Sequence, residues 1–318
     1  MTKYQFVGVD VAKDKFDVAL NLNKKCHQEC FANNAKGYRA FSKWIKKFTS
    51  QPWICMEATG HYSELIAEYL SSQKIRVSVV NPLQIKSFAR AKLSRNKTDQ
   101  LDACMIALYC EMMKPRTFEP RSNEHKELKD LSNLLDMLKT QYTQLANQLH
   151  SVRGKMAKKT IRKLLKELEK EIKRVEKLIA EIIKHNQDLN EDIQLMTSIK
   201  GVGKLTAYKV LSHVPHMKNF KNAKQFAAFI GISPRQHQSG NYQGKTTISR
   251  LGNSALRKTF YMAALVAKRH NERLQPFVTR LQMNGKAPKS IICAVMRKLA
   301  HFIFGILKSR RPFDVNFV

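Results

Sequence analysis

Acidic residues are scarce in this sequence, above all near its end. The 318 residues include 57 Lys+Arg against 25 Asp+Glu, which gives a formal net charge of +32. Residues 201–318 contain two acids, Glu272 and Asp314. Such an excess of positive charge predicts polyanionic partners, nucleic acid first and an anionic membrane a distant second. The last third of the chain cannot by itself supply a metal site made of carboxylates.

Paired cysteines and long apolar runs are also missing. The six cysteines include no C-x-x-C pair, and CHQEC (Cys26 to Cys30) has no second half to complete a four-ligand zinc site. Free thiols in a reducing compartment are therefore the favoured interpretation. We find no apolar run long enough to span a bilayer and no signal-peptide core at the start. These absences predict a soluble, cytoplasmic protein without a membrane partner.

Residues 1–100 alternate short β-type runs with helical patterns. Three strands are predicted first, in YQFVGVD, KFDVALNL and HQECFAN. A helix, the strand WICMEA, a second helix, the strand RVSVVNP and a third helix follow. This order predicts an α/β domain with a mixed sheet.

Residues 125–190 have a heptad pattern. Apolar residues recur at alternating steps of four and three from Leu131 to Met156, and again from Ile161 to Ile182, with a turn near Gly154. Two interpretations remain open. The two helices pack on each other as an antiparallel hairpin, or they form a coiled-coil arm through which the protein dimerises.

Residues 191–318 are predicted to be mainly helical. SIKGVGKLTA resembles a helix–hairpin–helix, in which a glycine turn and the next helix's N-terminal amides bind phosphate. Gly201, Gly203 and Lys204 are the candidate contacts, and a tight interhelical turn is the alternative. A polar loop, RQHQSGNYQGKTTISRLGN, and two long basic helical stretches follow.

Four acids are candidates for a divalent metal site. Asp10 and Glu57 end predicted strands, while Asp99 and Asp102 are three residues apart and share one helix face. Mg²⁺ and Mn²⁺ prefer such hard oxygen ligands, and two ions can activate the attacking and leaving oxygens of a phosphodiester. Taken singly, each acid also fits a structural role. Thr98 is a plausible N-cap, for example, and the two helical acids would then complement the helix dipole.

Taken in order, these motifs resemble the DEDD family of insertion-sequence transposases. GVDVAKDKFDV, MEATG, NKTDQLDA, the heptad region, IKGVGKLTA and FIGISPRQHQSG carry the likeness over nearly the whole chain. The resemblance implies three regions: a RuvC-like domain of RNase H fold (1–124), a coiled-coil arm (125–190) and a C-terminal transposase domain (191–318). It also implies that the family's four metal-binding acids, for about two Mg²⁺ or Mn²⁺ ions, are Asp10, Glu57, Asp99 and Asp102.

The family also uses a nucleophilic serine in a motif that matches QSG, hence Ser239. The resemblance implies a recombinase that cuts and rejoins donor and target DNA through a phosphoserine. It further implies guidance by a structured bridge RNA, assembly as a dimer or tetramer through the arm, and work at the nucleoid of a bacterial or archaeal cell.

By its own chemistry Ser239 is unremarkable, because a glycine-bearing polar loop reads first as a turn and a serine needs activation. The acid-poor C-terminal region means that the serine would have to meet the N-terminal acids across a domain or subunit boundary. Basic residues near it could neutralise a phosphate: Arg235, His237, Lys245 and Arg250. Two rival functions remain: a junction-resolvase-like nuclease that uses water, and a basic nucleic-acid-binding protein without catalysis.

Overall fold

A computed structural model of the chain divides into two compact units, residues 1–120 and 121–318. It describes residues 4–22, 25–93, 99–214, 217–236, 238–239, 242–244 and 246–314. The division into three regions stays a prediction.

The first unit is built on one five-stranded mixed sheet. The strands follow the order β3-β2-β1-β4-β5, in which β1 pairs antiparallel with β2 and parallel with β4. The predicted α/β class with a mixed sheet is thereby confirmed, including the third strand predicted in HQECFAN. The strands are β1 (Gln5–Val11), β2 (Lys15–Leu22), β3 (Lys25–Ala32), β4 (Pro52–Glu57) and β5 (Arg76–Val80).

Helices cover both faces of this sheet, so its central strands are buried on both sides. Val7 and Val9 point to one face and pack with Phe41 and Ile66 from two of the helices. Phe6 lies on the opposite face with Trp53, where Ile106 from another helix completes a second core. The first pair of helices is α1 (Ala35–Lys46) and α2 (His61–Ser72), and the second is α3 (Pro82–Ala91) and α4 (Asp99–Met113).

Two long helices open the second unit, α5 (Asn123–Ser151) and α6 (Lys155–His185). They pair antiparallel, since Lys139 bonds Glu176 and Tyr142 bonds Glu169. The break between them falls at residues 152–154, where the heptad pattern predicts a turn. The base of this helical hairpin belongs to the core of the unit, because Leu128 and Ile179 are fully buried there.

The rest of the second unit is mostly helical, as the sequence predicts. Phe226, Phe260 and Leu299 are fully buried at its centre. Where the sequence suggested two long helical stretches at the end, the structure has three α-helices. The helices are α7 (Gln187–Thr197), α8 (Lys204–His213), α9 (Ala223–Ile230), α10 (Ser254–His270), α11 (Gln275–Met283) and α12 (Pro288–Ser309).

Helix α12 corrects one expectation from the sequence. We expected no apolar run long enough to span a bilayer, but among the described residues this one helix has the length and composition to do so. Its position explains its composition. More than half of its most apolar segment is buried inside the unit, and Val295, Leu299 and Ile303 are fully buried. A long apolar helix is thus needed here for the core.

Candidate catalytic and nucleic-acid-binding sites

The strand register brings Asp10 beside Glu57. Gly8 pairs with Cys55 and Val9 with Met56 in the parallel β1–β4 ladder, so the next step of the same register sets Asp10 against Glu57. Partners in adjacent strands direct their side chains to the same face of a sheet. Both acids are half-buried and lie on the face that α4 covers. The expectation that these two acids lie at neighbouring strand ends agrees with this geometry.

The backbone of helix α4 packs closely against this face of the sheet at Gly8. A Cβ placed on Gly8 would lie 1.9 Å from the carbonyl oxygen of Ala103 and 2.4 Å from the nitrogen of Ala107. The half-buried Asp102 adjoins Ala103, and Asp10 lies two residues beyond Gly8 on the same face. Asp99 is the first residue of the helix, and its side chain lies outside the described atoms, as does the proposed cap Thr98.

A fifth acid, Asp17, lies opposite Asp10 across the antiparallel β1–β2 ladder. It is buried, at 8% exposure, and its carboxylate accepts an ion pair from Lys15 at 3.1 Å. Opposed carboxylates repel, and this ammonium offsets the charge of Asp17. Only the register of the β1–β2 ladder shows that Asp17 faces Asp10.

The donor set suits a hard divalent cation, since two neighbouring carboxylates and a third on the covering helix are all oxygen ligands. Within the part of the chain that the structure describes, however, no three His, Cys, Asp or Glu side chains converge closely enough to form a metal site. Asp10 and Glu57 each engage other groups there. The assignment of Asp10, Glu57, Asp99 and Asp102 as metal ligands remains a prediction.

The turn between α7 and α8 contains two glycines whose backbone surroundings differ. Gly201 has φ = 104°, and a Cβ there would lie 2.5 Å from Cβ of Ala267, so a larger residue would be both strained and crowded. Gly203 is the N-cap of α8 and has no side chain to occupy the first amides. Gly203 and Lys204 are both exposed. The amides at the start of α8 are accessible to an anion.

The loop that contains Ser239 is a narrow β ribbon. Its outer pair is β6 (Pro234–Arg235) with β9 (Thr247–Ile248), and its inner pair is β7 (Gln238–Ser239) with β8 (Tyr242–Gln243). Ser239 pairs with Tyr242 in the backbone ladder, while its side chain lies outside the described atoms. Ser239 itself is therefore a strand residue, and the rest of the predicted turn falls partly outside the described residues.

The ribbon is fixed at its base. Arg257 donates hydrogen bonds from Nη1 to the carbonyl oxygens of Ile230 and Arg250, at 3.2 and 3.3 Å. Arg250 has φ = 54°, a left-handed conformation that side chains seldom adopt, and its own side chain is exposed. Arg235 is exposed on β6, whereas the predicted contacts His237 and Lys245 lie outside the described residues.

Comparison with known proteins gives two family models that together cover most of the chain. A transposase model of the DEDD IS110 type matches residues 7–152, and the model "Transposase IS116/IS110/IS902 family" matches residues 193–279. The first span contains Asp10, Glu57, Asp99 and Asp102, and the second contains the glycine turn and Ser239.

Individual relatives agree with these models. The chain is 30% identical over 314 residues to the pilin gene-inverting protein of Moraxella bovis, which covers 97% of both chains. It is 26% identical over 300 residues to the transposase for insertion sequence element IS1111A of Coxiella burnetii, covering 85% of this chain and 79% of that protein. The transposase for insertion sequence element IS1328 of Yersinia enterocolitica is 23% identical over 334 residues. The chain belongs to the IS116/IS110/IS902 family of insertion-sequence transposases, the DEDD transposases that its motifs resemble.

Proposed function

We propose that this transposase cuts and rejoins DNA by transesterification, with Ser239 as the nucleophile. Divalent ions, Mg²⁺ or Mn²⁺, would be held by four acids: Asp10, Glu57, Asp99 and Asp102. When bound, such ions supply Lewis acidity to the scissile phosphate. The observation that supports the proposal is the strand register that sets Asp10 against Glu57, on the face of the sheet covered by α4, the helix that contains Asp102.

Ser239 Oγ would attack phosphorus, forming an O–P bond while the P–O bond to one deoxyribose breaks. The proton of the serine hydroxyl ends on the released deoxyribose oxygen, and the second DNA end reverses these steps with a new partner strand. The number of phosphoester bonds is unchanged, so no nucleotide hydrolysis is needed. The exposed guanidinium groups of Arg235 and Arg250 would neutralise the phosphate at the ribbon, together with Lys245.

The acid-bearing unit would have an RNase H-like fold of the RuvC type. Three antiparallel strands followed by two parallel ones, with β1 at the centre, support this proposal. The glycine turn would bind a phosphate of the DNA or of a structured bridge RNA through the amides of α8, with Gly201, Gly203 and Lys204 as the contacts. The hairpin of α5 and α6 would hold the protein together as a dimer or tetramer.

The decisive experiment is capture of the covalent intermediate on a nicked DNA substrate that cannot religate. Wild-type protein should yield a protein–DNA adduct whose modified peptide contains Ser239. Ser239→Ala should bind DNA normally and yield no adduct. Ser249→Ala is a matched control. Ser249 lies at the base of the same ribbon, where its backbone N–H donates a hydrogen bond to the carbonyl oxygen of Ser233 at 2.8 Å.

Two results would contradict the proposal. An adduct mapped to a different residue would exclude Ser239 as the nucleophile. Divalent-dependent cleavage at an undiminished rate by Ser239→Ala would instead favour a nuclease that activates water with the same acids.

A further inference from the structure

Four of the six cysteines form two thiol pairs against helix α4. Cys104 lies near the start of this helix, and its Sγ is 2.6 Å from Sγ of Cys26 on β3. Cys110, near the end of the helix, contacts the thiol of Cys55 on β4. The paired residues are 78 and 55 positions apart, so neither pair is visible as a motif in the sequence.

The two pairs differ in their access to solvent. Cys55 and Cys110 are fully buried beneath the helix. Cys26 is exposed and Cys104 is half-buried, so a small oxidant in solution can reach this pair. The side chain of Gln28 lies beside both sulfurs, and its Nε2 donates to Cys104 Sγ at 3.0 Å and to Cys26 Sγ at 3.6 Å. This amide holds the two sulfur atoms together at one place on the edge of the sheet.

We propose that Cys26 and Cys104 are a redox modification site that forms a reversible disulfide between β3 and α4. The two sulfurs are already in contact, so closing the bond to the usual length of about 2.05 Å needs small side-chain movements. The bond would tie α4 covalently to the sheet two residues after Asp102. The proposal concerns thiol chemistry alone and does not depend on the catalytic mechanism proposed above.

The oxidant is a peroxide, and the reaction balances in two steps. One thiolate attacks a peroxide oxygen, so that an S–O bond forms, the O–O bond breaks and water leaves with the thiol proton. The second sulfur then displaces the hydroxyl of the resulting sulfenic acid, and a second water leaves with the proton of that thiol. Two thiols and hydrogen peroxide thus yield one disulfide and two water molecules, and a dithiol reductant reverses the change.

The test treats the full-length reduced protein with stoichiometric hydrogen peroxide and counts thiols after denaturation. We expect the count to fall from six to four, with a tryptic peptide linking Cys26 to Cys104. The melting temperature of the oxidised protein should rise by about 5 °C or more, because the bond closes a long loop in the unfolded chain. A reductant should restore both values.

Three serine variants make the test specific. Cys26→Ser and Cys104→Ser should lose the linked peptide and the rise in melting temperature. Cys30→Ser is the matched control, since Cys30 is exposed on the same strand and faces Asp17, and it should behave as wild type. Retention of all six thiols in wild type would overturn the proposal, as would a linkage through Cys30 or between two chains.

Discussion

The proposed metal-binding acids and the proposed nucleophile are held in different ways, each within its own unit. In the first unit, Asp10 is the last residue but one of β1 and Glu57 is the last residue of β4, and the residues before them, Val9 and Met56, are fully buried. In the second unit, Ser239 lies on a ribbon whose described strand pairs are two residues long, fixed at its base by Arg257. The acids are therefore positioned by a hydrophobic core, and the serine by a few backbone hydrogen bonds.

This difference matches the different requirements of the two proposed roles, metal binding in the first unit and nucleophilic attack in the second. A site that binds divalent ions needs several ligands held in fixed positions, which a buried sheet and a tightly packed helix provide. The nucleophile proposed at Ser239 would stay joined to a DNA end while strands exchange, and it would need room to follow that end. Variants of the core should thus affect the acids and the stability of the protein together, whereas variants of the ribbon should affect chemistry alone.

The largest effect is expected from the acids. Glu57→Gln and Asp102→Asn should each lower divalent-dependent DNA cleavage at least ~10²-fold, because each removes a charged ligand of the proposed metal site. DNA binding in a gel-shift assay should remain within a few-fold of wild type, since the surface stays strongly basic. Asp14→Asn is the control, because Asp14 is exposed in the β1–β2 turn. Near-wild-type cleavage by Asp102→Asn in Mg²⁺ would refute the metal assignment.

Alanine substitutions at two glycines, one in each unit, should change the free energy of unfolding in opposite directions. Gly8→Ala should lower the free energy of unfolding by about 1–3 kcal/mol, because its Cβ would clash with backbone atoms of Ala103 and Ala107, which cannot move unless the helix shifts. Gly305→Ala should raise it by up to about 1 kcal/mol, because nothing lies within 4 Å of a Cβ there and alanine favours the helix. Urea denaturation measures both. A neutral Gly8→Ala variant would mean that α4 does not approach β1 so closely.

The sequence predicts the sheet and its acids better than their surroundings. Short runs of β-type residues predict β1, β2 and β4. Because a site gathers at the strand ends of an α/β sheet, Asp10 and Glu57 could be expected in one region. The opposition of Asp17 to Asp10 could not be predicted, because it depends on the exact register of a turn. The contact of Gly8 with α4 is equally invisible, since it joins residues about a hundred positions apart.

The second unit shows the same limit. The heptad pattern predicts two helices and their turn, yet it left open whether they pair within one chain, because a seam looks the same in both cases. The apolar content of α12 was underestimated because its lysines and arginines interrupt the run. Ser239 could be assigned by resemblance alone, since two-residue strands leave no periodic signal.

A smaller effect is expected from pH, through His213 at the end of α8. Burial, with the nearby cations Lys209, Arg121 and Lys129, lowers the pKa of His213 to about 4, so the folded protein favours the neutral ring. Between pH 6.5 and about 4 the unfolded chain takes up a proton that the folded chain resists. Stability should therefore fall as the pH decreases, by about 1 kcal/mol between pH 7 and pH 5 after allowance for partial exposure.

His213→Gln removes this titration and should flatten the decline in unfolding free energy over the same range. Asn253 Nδ2 lies 3.3 Å from Nδ1 of His213, an approach that suits a neutral acceptor nitrogen. His301, whose pKa burial also lowers, should account for part of the slope that remains. An unchanged slope in His213→Gln would show that the ring titrates normally in the folded protein.

The smallest effect concerns the helical hairpin and tests whether α5 and α6 pair within one chain. Lys139 Nζ lies 2.8 Å from Glu176 Oε1, and both side chains are more than a third exposed, so the pair should contribute about 0.5 kcal/mol. We expect Lys139→Ala, Glu176→Ala and the double variant to give this coupling energy in urea denaturation, with a lower value at 1 M salt. Since the bond joins two helices of one chain, the coupling should be the same at low and high protein concentration. A coupling that increases with concentration would mean that the hairpin opens and that α5 pairs with α6 of a second copy.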